Sequence, residues 1–212
     1  MRSKHSMVSA TATPSRAPVT EIYIGGAGDT RTRLVAAFAE ARQRLLAHTP
    51  RDVHYFPHYA ARRALHLASR HSEAGRAVVL TGHSWGCDTV LRVAAKLPRK
   101  AALIICADPV SKSRLNPPPR PRNAEHVIVL DARPSHPNRS DAVKNFGHLF
   151  GGTLQRTLAD AHTRIVVNLN HFAFAEMMVL ESDEGISALG LINRLNRNPA
   201  ASSSLASPGR AG

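Results

Sequence analysis

Residues 77–89 read Ala77-Val78-Val79-Leu80-Thr81-Gly82-His83-Ser84-Trp85-Gly86-Cys87-Asp88-Thr89. Ala77 to Thr81 is apolar up to its last residue, as a strand covered on both faces of a parallel sheet should be. From Thr89 to Leu97 the spacing is helical, and Pro98 stops it. Between the two lies Gly82-x-Ser84-x-Gly86, set where a strand turns sharply into a helix. Such a turn lifts the serine oxygen above the sheet, and its glycines sit where side chains would strike the neighbouring strand or helix. A serine hydroxyl is a poor nucleophile unless it is exposed, backed by a base and held in one orientation. This placement supplies the exposure and the orientation.

Outward from this point, short β-rich runs alternate with helical patterns. The predicted strands are Glu21–Gly26, Asp52–Phe56, Ala77–Thr81, Ala101–Ala107, His126–Leu130 and Arg164–Leu169. Helices are predicted over Thr30–His48, with Leu34, Ala37, Phe38, Ala41, Leu45 and Leu46 at helical spacing. Others are predicted over Tyr59–Ala74, Thr89–Leu97, Phe172–Leu180 and Ile186–Leu195. Arg133–Ser140 reads as a polar segment and Asn145–Asp160 as irregular or partly helical. This alternation implies an α/β fold: one compact domain over residues 20–198 with a mostly parallel central sheet and helices on both faces. Residues 1–19 and 199–212, rich in Ser, Ala and Pro without periodicity, read as disordered tails, the first of them basic.

The chain has 212 residues, 43% apolar and 20% charged, with no apolar run long enough to span a membrane. Residues 1–20 lack the apolar run of a signal peptide, and the two cysteines, Cys87 and Cys106, cannot form a disulfide framework. A cytoplasmic, reducing setting is the simplest reading, with a signal-less route of secretion left open. A net charge of +13 invites an anionic partner, either nucleic acid or an anionic membrane surface. No helix gathers its basic residues on one face and no nucleic-acid-binding motif occurs, which argues against specific nucleic-acid recognition. The loop Gly25-Gly26-Ala27-Gly28-Asp29 does not fit Gly-x-Gly-x-x-Gly, and no Walker lysine follows it, which argues against a nucleotide. Neither a metal nor a cofactor is expected, and nothing in the sequence speaks to oligomeric state.

The stretch Leu80 to Thr89 is similar to the nucleophile elbow of lipase-like and esterase-like members of the α/β-hydrolase superfamily, and the resemblance covers roughly Glu21 to Leu180. The chain departs from that pattern at Cys87, where Gly is usual. The resemblance implies an acid and a histidine later in the chain, in that order. His171, directly after the last predicted strand, fits the base. Two aspartates compete for the acid. Asp108, in an Asp-Pro step like that of the pancreatic-lipase-like branch, is favoured; Asp131, after the fifth strand, is the alternative. His83, beside the nucleophile, is expected to pack behind the elbow. The oxyanion donors expected are the amide of Trp85 and one from the glycine loop, at Ala27.

The expected activity is that of a serine hydrolase cleaving carboxylic esters through an acyl-enzyme. A thioesterase or phospholipase with the same residues, and a catalytically silent binding module, remain as alternatives. Phe172, Phe174, Met177 and Met178 are candidates for an acyl pocket. The stretches Ser111–Arg122 and Ala132–Gly152 are the two that have the length to cover the site.

Overall fold

The computed structural model describes residues 18–195. The two predicted tails lie outside the described residues, apart from Pro18 and Val19, and Val19 opens the first strand. Six strands form one sheet in which every pairing is parallel: β1 (Val19–Ile24), β2 (Arg51–Phe56), β3 (Ala77–His83), β4 (Leu103–Ala107), β5 (Val127–Ala132) and β6 (Thr163–Val167). Their order is β2-β1-β3-β4-β5-β6. The chain therefore moves one way from β1 to β2, then crosses back and continues the other way from β3. A crevice opens at that reversal, outside the carboxyl ends of β1 and β3.

Helices cover both faces. On one face α3 (Ala61–Glu73) and α4 (Trp85–Ala94) pack on Ile22, Ile24, Leu80 and Ile104. On the other, α2 (Leu34–Leu45), α6 (Phe174–Val179) and α7 (Ala188–Arg194) pack on Tyr23, Val79, Ile105 and Ile128. Alternate residues of β1 and β4 thus serve opposite cores, the period-two pattern of a strand buried on both sides. This is the single α/β domain, with a parallel central sheet and helices on both faces, that the sequence implies.

Three parts of the structure depart from the sequence reading. The helix predicted over Thr30–His48 is broken at Arg33, whose φ of 57° lies in the left-handed region; α1 (Asp29–Thr32) precedes the break and α2 follows it. The Asp29 carboxylate accepts hydrogen bonds from the amides of Val35 (2.9 Å) and Ala36 (3.3 Å), satisfying orphan donors at the start of α2. The inward face of α2 is also rotated from the one expected. Val35, Ala36, Ala39 and Arg42 are buried, whereas Ala37, Ala41 and Leu45 face solvent.

Arg42 turns inward because Glu21, fully buried in the amino-terminal half of β1, needs a cation. Its carboxylate accepts from Arg42 Nη2 at 2.7 Å and Nε at 3.1 Å and from the Tyr23 hydroxyl at 2.7 Å, and Arg51 Nε lies 3.2 Å away as a second ion-pair partner. Burying an unpaired carboxylate would be prohibitive. Arg51 continues to the Ile192 carbonyl (2.6 Å), tying α7 to β2.

The third departure is α5 (Arg139–Gly151), one continuous helix that starts inside the expected polar segment Arg133–Ser140 and runs into Asn145–Asp160, expected to be irregular or partly helical. Asn138 and Asp141 close its first turn as a reciprocal capping box. Glu21→Ala would leave two guanidinium groups buried without their anion. It should cost about 3–5 kcal/mol of stability in urea unfolding monitored by circular dichroism.

Candidate active site

The turn after β3 is held in a strained shape. Ser84 has φ 52° and ψ −123°, a conformation costing on the order of 1–3 kcal/mol for a residue with a side chain. Its surroundings fix it: the Ser84 amide donates to the Ala107 carbonyl (3.0 Å), and its carbonyl accepts from Cys87 (3.0 Å) and Val110 (3.3 Å). The glycines are required by proximity. A Cβ on Gly86 would lie 2.1 Å from the Ile24 carbonyl oxygen, and one on Gly82 would lie 2.6 Å from the Cys87 nitrogen. One on Gly26 would lie 2.9 Å from Ser84 Cβ. The loop after β1 is therefore pressed against the serine. Cys87 is fully buried, with its thiol 3.2 Å from the Gly82 carbonyl, so the departure from Gly fills core.

Asp108 follows β4, with a φ of 44° that again is uncommon outside glycine. Its Oδ2 lies 2.6 Å from His171 Nδ1, and both side chains are buried. Its Oδ1 accepts from the Ala132 amide at 3.2 Å and lies 2.6 Å from Lys144 Nζ. Burial pushes the Asp108 carboxyl up, but the hydrogen bonds from His171 and Lys144 and their charges outweigh it and hold the group below the usual carboxylate range. An ionised Asp108 makes His171 Nδ1 the donor and turns the Nε2 lone pair outward. Asp131 does not approach His171; its carboxylate pairs with Arg133 at 2.7 Å and Arg164 at 3.8 Å.

Three further residues support His171, and the sequence reading missed the roles of all three. His83 does not simply pack behind the elbow. Its ring lies against that of His171, centroids 4.7 Å apart, and its Nε2 donates to the His171 carbonyl at 2.8 Å. Burial, with the nearby His171, pushes His83 down to about 3, so the ring is neutral and can make that bond without adding charge. Asp141 accepts from the His171 amide at 3.0 Å and from Asn170 Nδ2 at 2.6 Å. Lys144 reaches Asp108 from the far side. The one local signal was the Asn138-x-x-Asp141 capping pattern, which marks the helix that carries both Asp141 and Lys144.

Ser84 and His171 open into one cavity of about 310 Å³, which Ala27 and Trp85 also line. Trp85 opens α4, so its amide belongs to the first turn, whose N–H groups have no partner within the helix. The opposite wall comes from α5 through Val143, Phe146, Gly147 and Phe150, with Phe172 and Leu34 beside them. Of the four residues expected to form an acyl pocket, Phe172 lines it; Phe174, Met177 and Met178 are buried in the core under α6. Of the two candidate covering stretches, 132–152 reaches the cavity. The other is strapped to α4, where the Asp88 carboxylate takes Ser111 Oγ (3.2 Å) and the Lys112 amide (3.1 Å). At the far edge of the sheet, Asp52, His54 and His71 cluster, but Arg76 pairs with Asp52 at 2.9 Å and the Thr20 hydroxyl lies 2.7 Å from His71 Nδ1. Among the described residues no helix is long and apolar enough to cross a membrane.

No family model and no curated protein matches the chain. Among solved structures the chain is similar to a protein of Xanthomonas campestris pv. campestris described provisionally as a hydrolase of the alpha/beta superfamily. Identity is 18%, covering 74% of this chain and 91% of that one, with a TM-score of 0.47. The fold therefore rests on the strand order, the parallel pairings and the helices on both faces.

Gly86→Ala should lower stability by about 3 kcal/mol, at the upper end of overpacking costs, because the new methyl meets backbone and not a movable side chain. Thermal unfolding of Gly86→Ala beside wild type measures the loss.

Proposed function

We propose that the protein is a serine hydrolase that cleaves carboxylic esters of apolar acids, with Ser84 as nucleophile, His171 as general base and acid, and Asp108 as the orienting carboxylate. The observation that carries this reading is the buried 2.6 Å contact between His171 Nδ1 and Asp108, placed at the cavity into which the strained Ser84 turn opens. In this reaction His171 Nε2 takes the proton of the Ser84 hydroxyl as its oxygen bonds to the acyl carbon. The amides of Trp85 and Ala27 donate to the oxyanion that develops. As that intermediate collapses, His171 returns the proton to the leaving alcohol, leaving an ester on Ser84. A water deprotonated by His171 then attacks this ester and frees the acid. Asp108 stays ionised throughout and stabilises the imidazolium.

The wall of Val143, Phe146, Phe150 and Phe172 supports an apolar acyl chain as the substrate portion. A chain laid there would meet hydrocarbon on α5 while its carbonyl faces Ser84. Phe146 and Phe150 are 64% and 63% exposed and touch each other, with centroids 4.4 Å apart. A substrate that covers them would remove apolar surface from water. The same machinery would serve a thioester or a phospholipid.

Three outcomes are expected. A fluorophosphonate probe should label Ser84, as read by peptide mass spectrometry. Ser84→Ala or His171→Ala should lower ester turnover by about 10⁴-fold or more. No adduct on folded protein overturns the reading. Phe146→Ala together with Phe150→Ala should cut kcat/KM about tenfold or more for p-nitrophenyl esters of longer acids, and change acetate hydrolysis much less.

A further inference from the structure

Helix α5 presents two chemistries to the site. Val143, Phe146 and Phe150 line the cavity, while the neighbour of Val143 in sequence, Lys144, turns beneath it. Lys144 Nζ lies 2.6 Å from Asp108 Oδ1 and donates to the Ala132 carbonyl at 2.8 Å; its side chain is 15% exposed. Asp108 is thus divided between two nitrogens that can carry charge. His171 holds Oδ2, and Lys144, with the Ala132 amide, holds Oδ1.

We propose that Lys144 is a positioning residue which, acting through Asp108, sets the pH range over which His171 serves as a base. The inference rests on the triad reading above. A carboxylate beside an imidazole favours the protonated ring, and a cation on the far oxygen of that carboxylate offsets the effect. The pull of Asp108 on a proton at the ring is thereby lessened. The cation is shielded from water, so salt screens it little. It also fixes the carboxylate plane: with both oxygens held, Asp108 cannot turn away from His171.

The other charged and titratable groups packed around His171 and Asp108 are each committed elsewhere. From β3, His83 is neutral and bonded to the His171 carbonyl. From α5, Asp141 is spent on the amides of His171 and Asn138 and on Asn170. His148, also on α5 and held by burial below the usual range, has Nε2 3.4 Å from the Pro109 carbonyl. From the ends of β5 and β6, Asp131 and Arg164 face a small cavity of about 40 Å³ behind Asp108, and they pair with each other at 3.8 Å. Among the described residues, Lys144 is the ammonium in contact with the Asp108 carboxylate.

The test uses the full chain as wild type, Lys144→Met, Lys144→Gln and Lys144→Arg. It measures the pH dependence of kcat/KM on a p-nitrophenyl ester and follows the His171 ring by NMR with ring-labelled histidine. In Lys144→Met the acid limb of the profile should move up by about one pH unit, as expected for loss of a neighbouring charge. Lys144→Gln should move it likewise, and Lys144→Arg should leave it close to wild type. A parallel loss of rate at every pH with no displacement of the limb would mean a merely structural lysine and overturns the proposal. So does a displacement toward lower pH. Absence of turnover in the wild type counts against the triad reading alone, because the ring titration needs no turnover. If Lys144 acts as proposed, His171 takes up its proton at higher pH in the Met and Gln variants; an unchanged titration in a folded variant overturns the inference.

Discussion

The approach of α4 to β1 governs the site. Where Gly86 passes the Ile24 carbonyl there is no room for even a methyl group, and Gly26 is pressed, less tightly, against Ser84. These contacts let the first turn of α4 sit directly above the sheet and force Ser84 into a conformation it would not adopt alone. The strain is sustained because the Ser84 backbone is bonded to Ala107 on one side and to Cys87 and Val110 on the other. A shift of β4 would therefore disturb the serine and Asp108 together, since both depend on the carboxyl end of that strand.

A second constraint lies at the opposite end of the sheet. Glu21 is a fully buried carboxylate in a parallel strand, and its two arginines come from α2 and β2. This network sets the rotation of α2, and through Arg51 it ties α7 to the start of β2. The site and this network lie at opposite ends of β1. One is an assembly of close backbone contacts, the other of buried charge.

Much of the architecture was legible from residues whose constraints are local. The strand before Ser84, the glycines around it and the Asp-Pro step after β4 announce themselves because each encodes a backbone requirement at one place in the chain. His171 was reached differently, from the chain order that the resemblance implies and its place shortly after the last strand. Tertiary partnerships were not legible in this way. Nothing near Arg42 in sequence says that Glu21 awaits it, so the apolar spacing of Leu34, Ala37 and Ala41 pointed to the wrong face. Helix α5 was obscured for another reason. Its apolar residues Val143, Phe146, Leu149 and Phe150 recur at helical spacing, but Gly147, Gly151 and Gly152 weaken the propensity and the face they form stays exposed. Lys144 was hidden because its importance arises from contact with a residue 36 positions earlier, which no pattern along the chain reveals.

The wall formed by α5 belongs to no strand and to neither core, and that has an evolutionary consequence. Sequence changes on Val143, Phe146 and Phe150 can reshape what the cavity admits without disturbing the packing of the sheet, so the shape of the cavity can drift at low cost to folding. Lys144 ties that freedom to a second property. A deletion or replacement of the whole helix would change the cavity wall and remove the cation from Asp108 in one step, so descendants that remodel this segment would diverge in both together.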